Sequence, residues 1–98
     1  MFIISSAEQK LISVGIDIGT TTTQLVLSRL TVRNSAPASV IPHMEISERE
    51  VLYRSNIHFT PIDDHLLIDA DEIARILAEE YKRAGMNPWD VETGAVII

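Results

Sequence analysis

Apolar and polar residues alternate along the N-terminal third of the chain, a pattern that predicts β-strands. In Leu11–Ile18 the even positions are apolar, and the odd positions between them are serine, glycine and aspartate. Since successive side chains of a strand point to opposite faces, one face should be core and the other bare. Thr22–Val32 is rich in β-branched and apolar residues, which predicts a second strand. Gly19–Thr21 lies between them as a turn, so the two strands should form a hairpin.

The alternation becomes less regular further along the chain. Arg33–Pro37 has the residue types of a turn, and Val40–Tyr53 is predicted to be extended. Within that extended segment the apolar residues move from even to odd positions, so we expect a bulge or turn near Ser47–Glu50. Asn56–Leu67 is predicted to be loop with short extended pieces, because it contains Pro61 and an acidic pair.

A helix with clearly marked ends is predicted over Ala70–Ala84. Asp69 precedes it as an N-cap, and Gly85 follows it as a C-terminal stop. Apolar residues recur at helical spacing on one face, namely Ile73, Ile76, Leu77, Tyr81 and Ala84. The other face should be solvated, because opposite charges lie four residues apart on it. The expected pairs are Asp71 with Arg75 and Glu79 with Arg83.

The fold class follows from the order of these elements. A short helical turn is predicted at Asn87–Asp90, and Gly94–Ile98 has the composition of a buried strand. The order β-β-β-α-β predicts an α/β fold with a mixed sheet, antiparallel at first and with a parallel last strand. Because an apolar strand without a polar tail is an unusual terminus, we expect a single domain, residues 1–98, from a longer chain.

The composition excludes several classes of protein. The 98 residues are 46% hydrophobic, which suits one domain, and include no cysteine, which excludes disulfides, thiolate zinc sites and cysteine nucleophiles. No apolar run approaches the roughly 20 residues of a membrane-spanning helix. The N-terminus also lacks the pattern of a secretory signal. We therefore expect a cytoplasmic protein with no membrane partner.

The charge distribution bears on the class of ligand. The net charge is −6, from eight basic and fourteen acidic residues. Met1–Met44 is nearly neutral, whereas Glu45–Ile98 carries most of the acidic residues. Such a chain repels nucleic-acid phosphate overall, so we expect no nucleic-acid partner. An anionic ligand would meet least repulsion in the N-terminal half.

The residues with recognisable chemistry lie between Val14 and Gln24. Asp17 should project from the glycine-lined face of the first strand, because its isoleucine neighbours face the other way. Gly19 permits a tight turn, and the four threonines after it offer hydroxyls beside backbone N–H groups that suit phosphate oxygens. Mg²⁺ binds through one or two carboxylates together with phosphates, which suits Asp17. We therefore predict a phosphate-binding hairpin formed by Asp17, Gly19, Thr20, Thr21 and Thr22.

A plainer interpretation of the same residues stays open at this point. In it, Asp17 caps a local turn and the threonines are strand formers. The segment is neither a Walker A loop, which needs Gly-Lys-Ser/Thr, nor the G-x-G-x-x-G of a dinucleotide fold. The ordered combination of strand, aspartate, glycine and threonines favours the phosphate site.

The same residues resemble a known group of ATPases. Gly15–Thr21 is similar to the first phosphate motif of the superfamily that includes actin, sugar kinases and the heat-shock-70 ATPases. This resemblance implies a ribonuclease H-like, actin-type ATPase subdomain. Within the superfamily, four segments resemble the ethanolamine ammonia-lyase reactivating factors, so that the similarity spans nearly the whole chain. These segments are Ser13–Gln24, Ser28–Leu30, Phe59–Pro61 and Thr93–Ala95.

The resemblance implies an ATP-dependent, chaperone-like factor that exchanges damaged cobalamin on ethanolamine ammonia-lyase for intact adenosylcobalamin. Asp17 would hold the Mg²⁺ of ATP through water, and Gln24 is a weaker candidate at the same site. The phosphates would be lined by Gly19, Thr20, Thr21 and Thr22. The second phosphate motif, the adenosine motif and the second lobe lie later in such proteins, so these residues alone should not hydrolyse ATP. A cytoplasmic location, in association with a bacterial microcompartment, is expected.

Two other functions remain as alternatives. A sugar-type kinase of the same superfamily shares the phosphate hairpin but carries a substrate-facing catalytic carboxylate elsewhere in its chain. An actin-like scaffold ATPase would assemble head to tail under the control of the nucleotide. A shared fold does not distinguish these functions.

No metal-ligand cluster is predicted elsewhere in the chain. Three histidines lack acidic or cysteine partners at ligand spacing, so we expect them to be surface or hydrogen-bonded residues. They are His43, His58 and His65. Trp89 is predicted to pack against the end of the helix together with Tyr81 and Met86.

Overall fold

Residues 8–34 and 44–98 are described by the computed structural model, in which they form a mixed α/β fold. Three long strands come first, β1 (Gln9–Ile18), β2 (Thr22–Asn34) and β3 (Met44–Arg54). They are followed by the short strand β4 (His58–Phe59), helix α1 (Ala70–Ala84), a 3-10 turn (Pro88–Asp90) and strand β5 (Thr93–Ile97).

These strands make one mixed sheet of five strands. They lie in the order β3-β2-β1-β5, and β4 pairs with the start of β2. β2 is antiparallel to both β1 and β3, whereas β5 is parallel to β1 and is reached through α1. The predicted mixed sheet with a parallel last strand is therefore confirmed. The observed order matches the predicted β-β-β-α-β except for one additional strand, β4. That strand lies in the segment that was predicted to contain short extended pieces.

The pairing of β2 with β3 is interrupted at two places. Ser47 has no partner on β2, and its hydroxyl donates to the carbonyl of Thr31 across the bulge at 3.3 Å. This position confirms the bulge predicted over Ser47–Glu50. A second register shift leaves Leu52 without a partner, which was not predicted. β2 also continues to Asn34, where a turn was predicted, and the rest of that turn lies outside the described residues.

The core lies between α1 and one face of the sheet. Tyr53 is paired with Leu27 across the sheet and hydrogen-bonds to Glu80 of the helix, which places α1 over this face. The buried apolar residues are Ile18, Leu25, Leu27, Ile73 and Ile76. Burying one such side chain contributes roughly 1.5–3 kcal/mol, so this layer holds the hairpin against the helix.

The opposite face of the sheet is open, as the alternation in β1 predicts. Gly15 and Asp17 are exposed on it, whereas Ile16 is half-buried and Ile18 is buried on the helix side. The bare face of the hairpin is therefore the one that carries the predicted carboxylate.

Both ends of α1 lie where the sequence places them. The side chain of Asp69 accepts a hydrogen bond from the backbone N–H of Glu72 at 3.1 Å, which satisfies one free donor of the first turn. Gly85 adopts a left-handed conformation with φ 70°, and its N–H bonds back to the carbonyl of Lys82 at 3.1 Å. A residue with a β-carbon is strained in this conformation, which is why glycine ends the helix.

The ion pairs on the helix differ from the predicted ones. Arg75 bonds to Glu72 and to Glu79, rather than to the aspartate four residues before it. The guanidinium of Arg83 lies 3.5 Å from the carboxylate of Glu80, three residues before it, whereas the predicted partner was Glu79. Spacing by three and spacing by four are both short enough for contact on a helix, so spacing alone does not select between them.

The predicted C-terminal strand exists as β5, but its predicted burial is wrong. Every residue of β5 is exposed, including Val96 and Ile97. Among the described residues β5 is an edge strand that pairs with β1 alone. An apolar strand is buried only where another element covers it, and its composition does not show whether one does. Within residues 8–34 and 44–98, no helix has the length and apolar character needed to cross a bilayer.

Candidate functional site

The turn that joins β1 to β2 is the centre of the candidate site. β1 ends at Ile18 and β2 begins at Thr22, and the N–H of Gly19 donates to the carbonyl of Thr22 at 2.9 Å to close the turn. A β-carbon at Gly19 would lie 3.2 Å from that carbonyl oxygen, which is tighter than ordinary contact. The turn therefore favours glycine at its first position.

Two carbonyl groups of the turn accept hydrogen bonds from Thr60, the residue that follows β4. The hydroxyl of Thr60 donates to the carbonyl oxygen of Gly19 at 2.7 Å. The backbone N–H of Thr60 donates to the carbonyl oxygen of Thr21 at 2.8 Å. Thr60 is buried, and its hydroxyl oxygen also lies 2.8 Å from that of buried Thr23.

The donors of the turn remain available to a ligand. Within the described residues, no hydrogen bond uses the backbone N–H of Thr20 or Thr21. The side chains of Thr20, Thr21 and Thr22 are exposed, so their hydroxyls are also accessible. Free N–H groups and hydroxyls at consecutive positions are the donors that an anion such as phosphate needs.

Asp17 lies beside this turn, on the open face of the sheet. It is paired with Gln24 across the hairpin, and both line a groove of about 240 Å³ that also contains Ile97 at the end of β5. The groove is lined by Gly15, Ile16, Asp17, Gln24, Val26, Arg49, Ala95 and Ile97. An exposed carboxylate two residues before the turn suits a Mg²⁺ ion that keeps most of its water ligands, should phosphates bind at the turn.

The position of the turn in the sheet also suits ligand binding. β1 and β5 are parallel, so they end at the same edge of the sheet, where the turn begins. Open sheets bind ligands outside the carboxyl ends of parallel strands. Beside the turn, an apolar hollow is lined by Ile18, Gly19, Thr20, Ile62, Leu66, Ile68 and Ile98. The five predicted site residues, Asp17 and Gly19 to Thr22, all lie at this edge of the sheet, where β1 ends and β2 begins.

A second polar cluster lies under α1. Glu80 is only 1% exposed; its carboxylate accepts from the hydroxyl of Tyr53 at 2.5 Å and lies 2.5 Å from Nε2 of His58. Burial by itself raises the pKa of Glu80, but the hydrogen bonds from Tyr53 and His58 and the positive charge of Arg83 hold that pKa below its usual value. The bond to Glu80 in turn raises the pKa of Tyr53. Glu80 is therefore an ionised, fully bonded structural carboxylate.

Three residues near the site were not identified from the sequence. Arg49 reaches the groove from β3, and its Nε lies 3.4 Å from the hydroxyl of Ser28. Thr60 hydrogen-bonds to the turn, and Glu80 is buried on the side of α1 that faces the sheet. Only Glu80 has a signal in the sequence, because a glutamate that follows Ile76 by four residues falls on the apolar stripe of α1.

The remaining sequence predictions have mixed outcomes. His58 is hydrogen-bonded and His65 is exposed, as expected, whereas His43 lies outside the described residues. The packing predicted for Trp89 is wrong, because its side chain is 78% exposed on the 3-10 turn. Among the described residues no cluster of three or more histidine or acidic groups could hold a metal ion, so Mg²⁺ at Asp17 stays a prediction that needs the phosphates as further ligands.

These features define an α/β chain with a candidate phosphate-binding hairpin at the carboxyl ends of its parallel strands. The chain belongs to the family described as Ethanolamine utilisation protein EutA, whose profile matches residues 9–98. It is 43% identical over 90 residues to the ethanolamine ammonia-lyase reactivase EutA of Escherichia coli strain K12 and 41% identical over 90 residues to that of Salmonella typhimurium strain LT2.

Both alignments cover 92% of this chain and 19% of the relative. The chain therefore spans about a fifth of the length of the curated relatives that it matches. No solved structure matches the chain, so the ribonuclease H-like part of the predicted fold class stays a prediction.

Proposed function

We propose that this chain is the N-terminal, ATP-binding part of an ethanolamine ammonia-lyase reactivase. The observation that carries the proposal is the hairpin turn, where the N–H groups of Thr20 and Thr21 are free and follow the exposed residue Asp17 within a few positions in the chain. The lyase enters the proposal through the name of the relatives in Escherichia coli and Salmonella typhimurium. The strand order β3-β2-β1-β5 is compatible with an actin-type, ribonuclease H-like subdomain.

The residues of the hairpin suit Mg-ATP in type and position. The phosphates would be lined by Gly19, Thr20, Thr21 and Thr22, with the free N–H groups of Thr20 and Thr21 and the three threonine hydroxyls as donors; the N–H of Gly19 closes the turn instead. Asp17 would bind Mg²⁺ through water, and Gln24 opposite it could contact the same water shell. When bound, Mg-ATP would supply the free energy that drives the exchange reaction. These 98 residues alone are not expected to hydrolyse ATP, because no second phosphate motif is present in them.

The proposed action of the whole protein is that of a chaperone. It would bind ethanolamine ammonia-lyase that carries damaged cobalamin and open it, so that damaged cobalamin leaves and intact adenosylcobalamin enters. We further propose a cytoplasmic location in association with a bacterial microcompartment. The membership of the EutA family supports the link to ethanolamine ammonia-lyase, since ethanolamine utilisation is the process that the family description names.

The proposal is tested by recovery of cobalamin-inactivated ethanolamine ammonia-lyase by the full-length protein in the presence of Mg-ATP. Wild type should restore lyase activity, and Asp17→Ala should not, although its thermal unfolding should be unchanged because Asp17 is exposed. Asp71→Ala is the matched control, since it removes an aspartate of α1 that is also exposed but lines neither the groove of Asp17 nor the hollow beside the turn. It should recover the lyase as well as wild type does.

Other outcomes separate the alternatives. Equal losses of stability and recovery in Asp17→Ala would support a structural role for Asp17. Recovery by neither protein, together with ATP-dependent phosphorylation of a small-molecule acceptor, would support the kinase. ATP-dependent head-to-tail assembly without lyase recovery would support the scaffold.

A further inference from the structure

Thr60 is connected to the turn through both its backbone and its side chain. It lies directly after β4 and is 7% exposed. Its hydroxyl bonds to the carbonyl of Gly19 at 2.7 Å, and its N–H bonds to the carbonyl of Thr21 at 2.8 Å. One buried residue thus holds two carbonyls that flank the free N–H groups of the turn.

The proton positions in this cluster follow from the number of donors. A threonine hydroxyl has one proton, and Thr60 gives it to the carbonyl of Gly19, which can only accept. The contact between the hydroxyls of Thr23 and Thr60 must then be a bond in which Thr23 donates. The result is a directed chain of hydrogen bonds from Thr23 through Thr60 to Gly19.

We infer that Thr60 is a positioning residue for phosphate binding at the hairpin turn, an inference that rests on the proposed function. A carbonyl oxygen that faced the ligand would repel phosphate and would displace an N–H donor. The carbonyl and the N–H of one trans peptide group point in opposite directions, so by holding the carbonyl of Gly19 on the protein side Thr60 keeps the N–H of Thr20 on the ligand side. Its bond to the carbonyl of Thr21 fixes the other end of the turn. Thr60 itself is buried and touches no ligand.

The test compares nucleotide affinities of the full-length protein and its variants. Thr60→Val keeps the shape and the backbone N–H but removes the hydroxyl, so the Kd for Mg-ATP should rise at least tenfold. The Kd for adenosine, which has no phosphate, should stay within twofold of wild type. Thr60→Ser restores the donor and should bring the Kd for Mg-ATP back to within about threefold of wild type.

Thr23→Val is the matched control for loss of a buried hydroxyl. It removes the donor to Thr60 but leaves the bond from Thr60 to Gly19, so its melting temperature should fall while its Kd for Mg-ATP stays within twofold. If Thr60→Val does not fold, Thr60→Cys replaces it, because a thiol is only a weak donor.

The outcomes distinguish this inference from the function on which it rests. A wild-type protein that binds Mg-ATP no more tightly than adenosine overturns the proposed phosphate site and this inference with it. A wild-type protein that prefers Mg-ATP, with Thr60→Val equally tight, overturns this inference alone. An equal loss of Mg-ATP affinity in Thr23→Val and Thr60→Val also overturns it, since that result would indicate general loosening of the hairpin.

Discussion

Replacing Glu80 with alanine should loosen the contact between the helix and the sheet. The carboxylate is 1% exposed and is bonded to Tyr53 of β3 and His58 of β4 at 2.5 Å each. Glu80→Ala therefore removes the polar link from α1 to two strands at once and leaves two donors without an acceptor.

The size of the effect follows from the burial of Glu80. Leaving a donor without its acceptor inside a protein costs about 1–3 kcal/mol, and Glu80→Ala does this to both Tyr53 and His58. Alanine regains a few tenths of a kcal/mol through its helix propensity, and the desolvation of the carboxylate is relieved. We expect a net loss of about 3 kcal/mol in local stability, which corresponds to about a hundredfold change in the opening equilibrium.

The assay is amide hydrogen exchange, followed by mass spectrometry, on peptides that cover residues 53–84 of the full-length protein. In Glu80→Ala these peptides should exchange about a hundredfold faster, because exchange reports the local opening equilibrium. Glu79→Ala is the matched control on the same helix. Glu79 is exposed and pairs with Arg75 at 3.1 Å, so its loss should change exchange less than about threefold.

The two variants together decide whether the buried carboxylate stabilises this region. If Glu80→Ala accelerated exchange no more than Glu79→Ala, the inference that Glu80 links the helix to the sheet would be refuted. Faster exchange confined to the turns of α1 nearest Glu80, with β4 unchanged, would contradict the link through His58.

Two further predictions concern pH and backbone packing. Because the pKa of Glu80 is lowered from its ordinary 4.5, the stability that wild type has over Glu80→Gln should be complete above that pH and should decline as the pH falls below it. Urea unfolding between pH 7 and pH 3 checks this sign, and a difference that grew on acidification would contradict it. Gly94→Ala should destabilise the protein by about 1–3 kcal/mol, because its β-carbon would lie 2.6 Å from both the carbonyl oxygen and Cγ1 of Val14. Gly15→Ala, where the β-carbon meets open space, should change stability by less than about 0.5 kcal/mol, and equal thermal shifts in the two variants would show that the close approach at Gly94 has no energetic cost.

β4 connects the two polar clusters although it contains only two residues. His58 at its start bonds to Glu80 of the helix, and Thr60 just after it bonds to the turn. The pairing of β4 with Thr22 and Thr23 keeps it beside the hairpin. The orientation of the candidate phosphate site therefore depends on a segment more than thirty residues away in the sequence.

Local chemistry was sufficient for much of the fold and for the position of the candidate site. The ends of α1 were predictable because Asp69 and Gly85 act through bonds within a few residues of themselves. The hairpin and its bare face were predictable because the alternation of side chains in a strand is a property of the backbone. Asp17 and the threonines could be grouped because they lie within a few residues of one another in the chain.

Only the tertiary structure decided which groups meet across the fold. The composition of β5 indicated burial, yet β5 is exposed because none of the described elements packs over it. The positions of Thr60 and Glu80 depend on how β4 and α1 lie against the hairpin, which no local propensity encodes. The sequence by itself determined where the strands, the helix and the turn residues fall, because these depend on neighbours in the chain. The tertiary structure determined which carbonyls are held inward and which carboxylate is buried, because hydrogen bonds and burial depend on distances between segments far apart in the sequence.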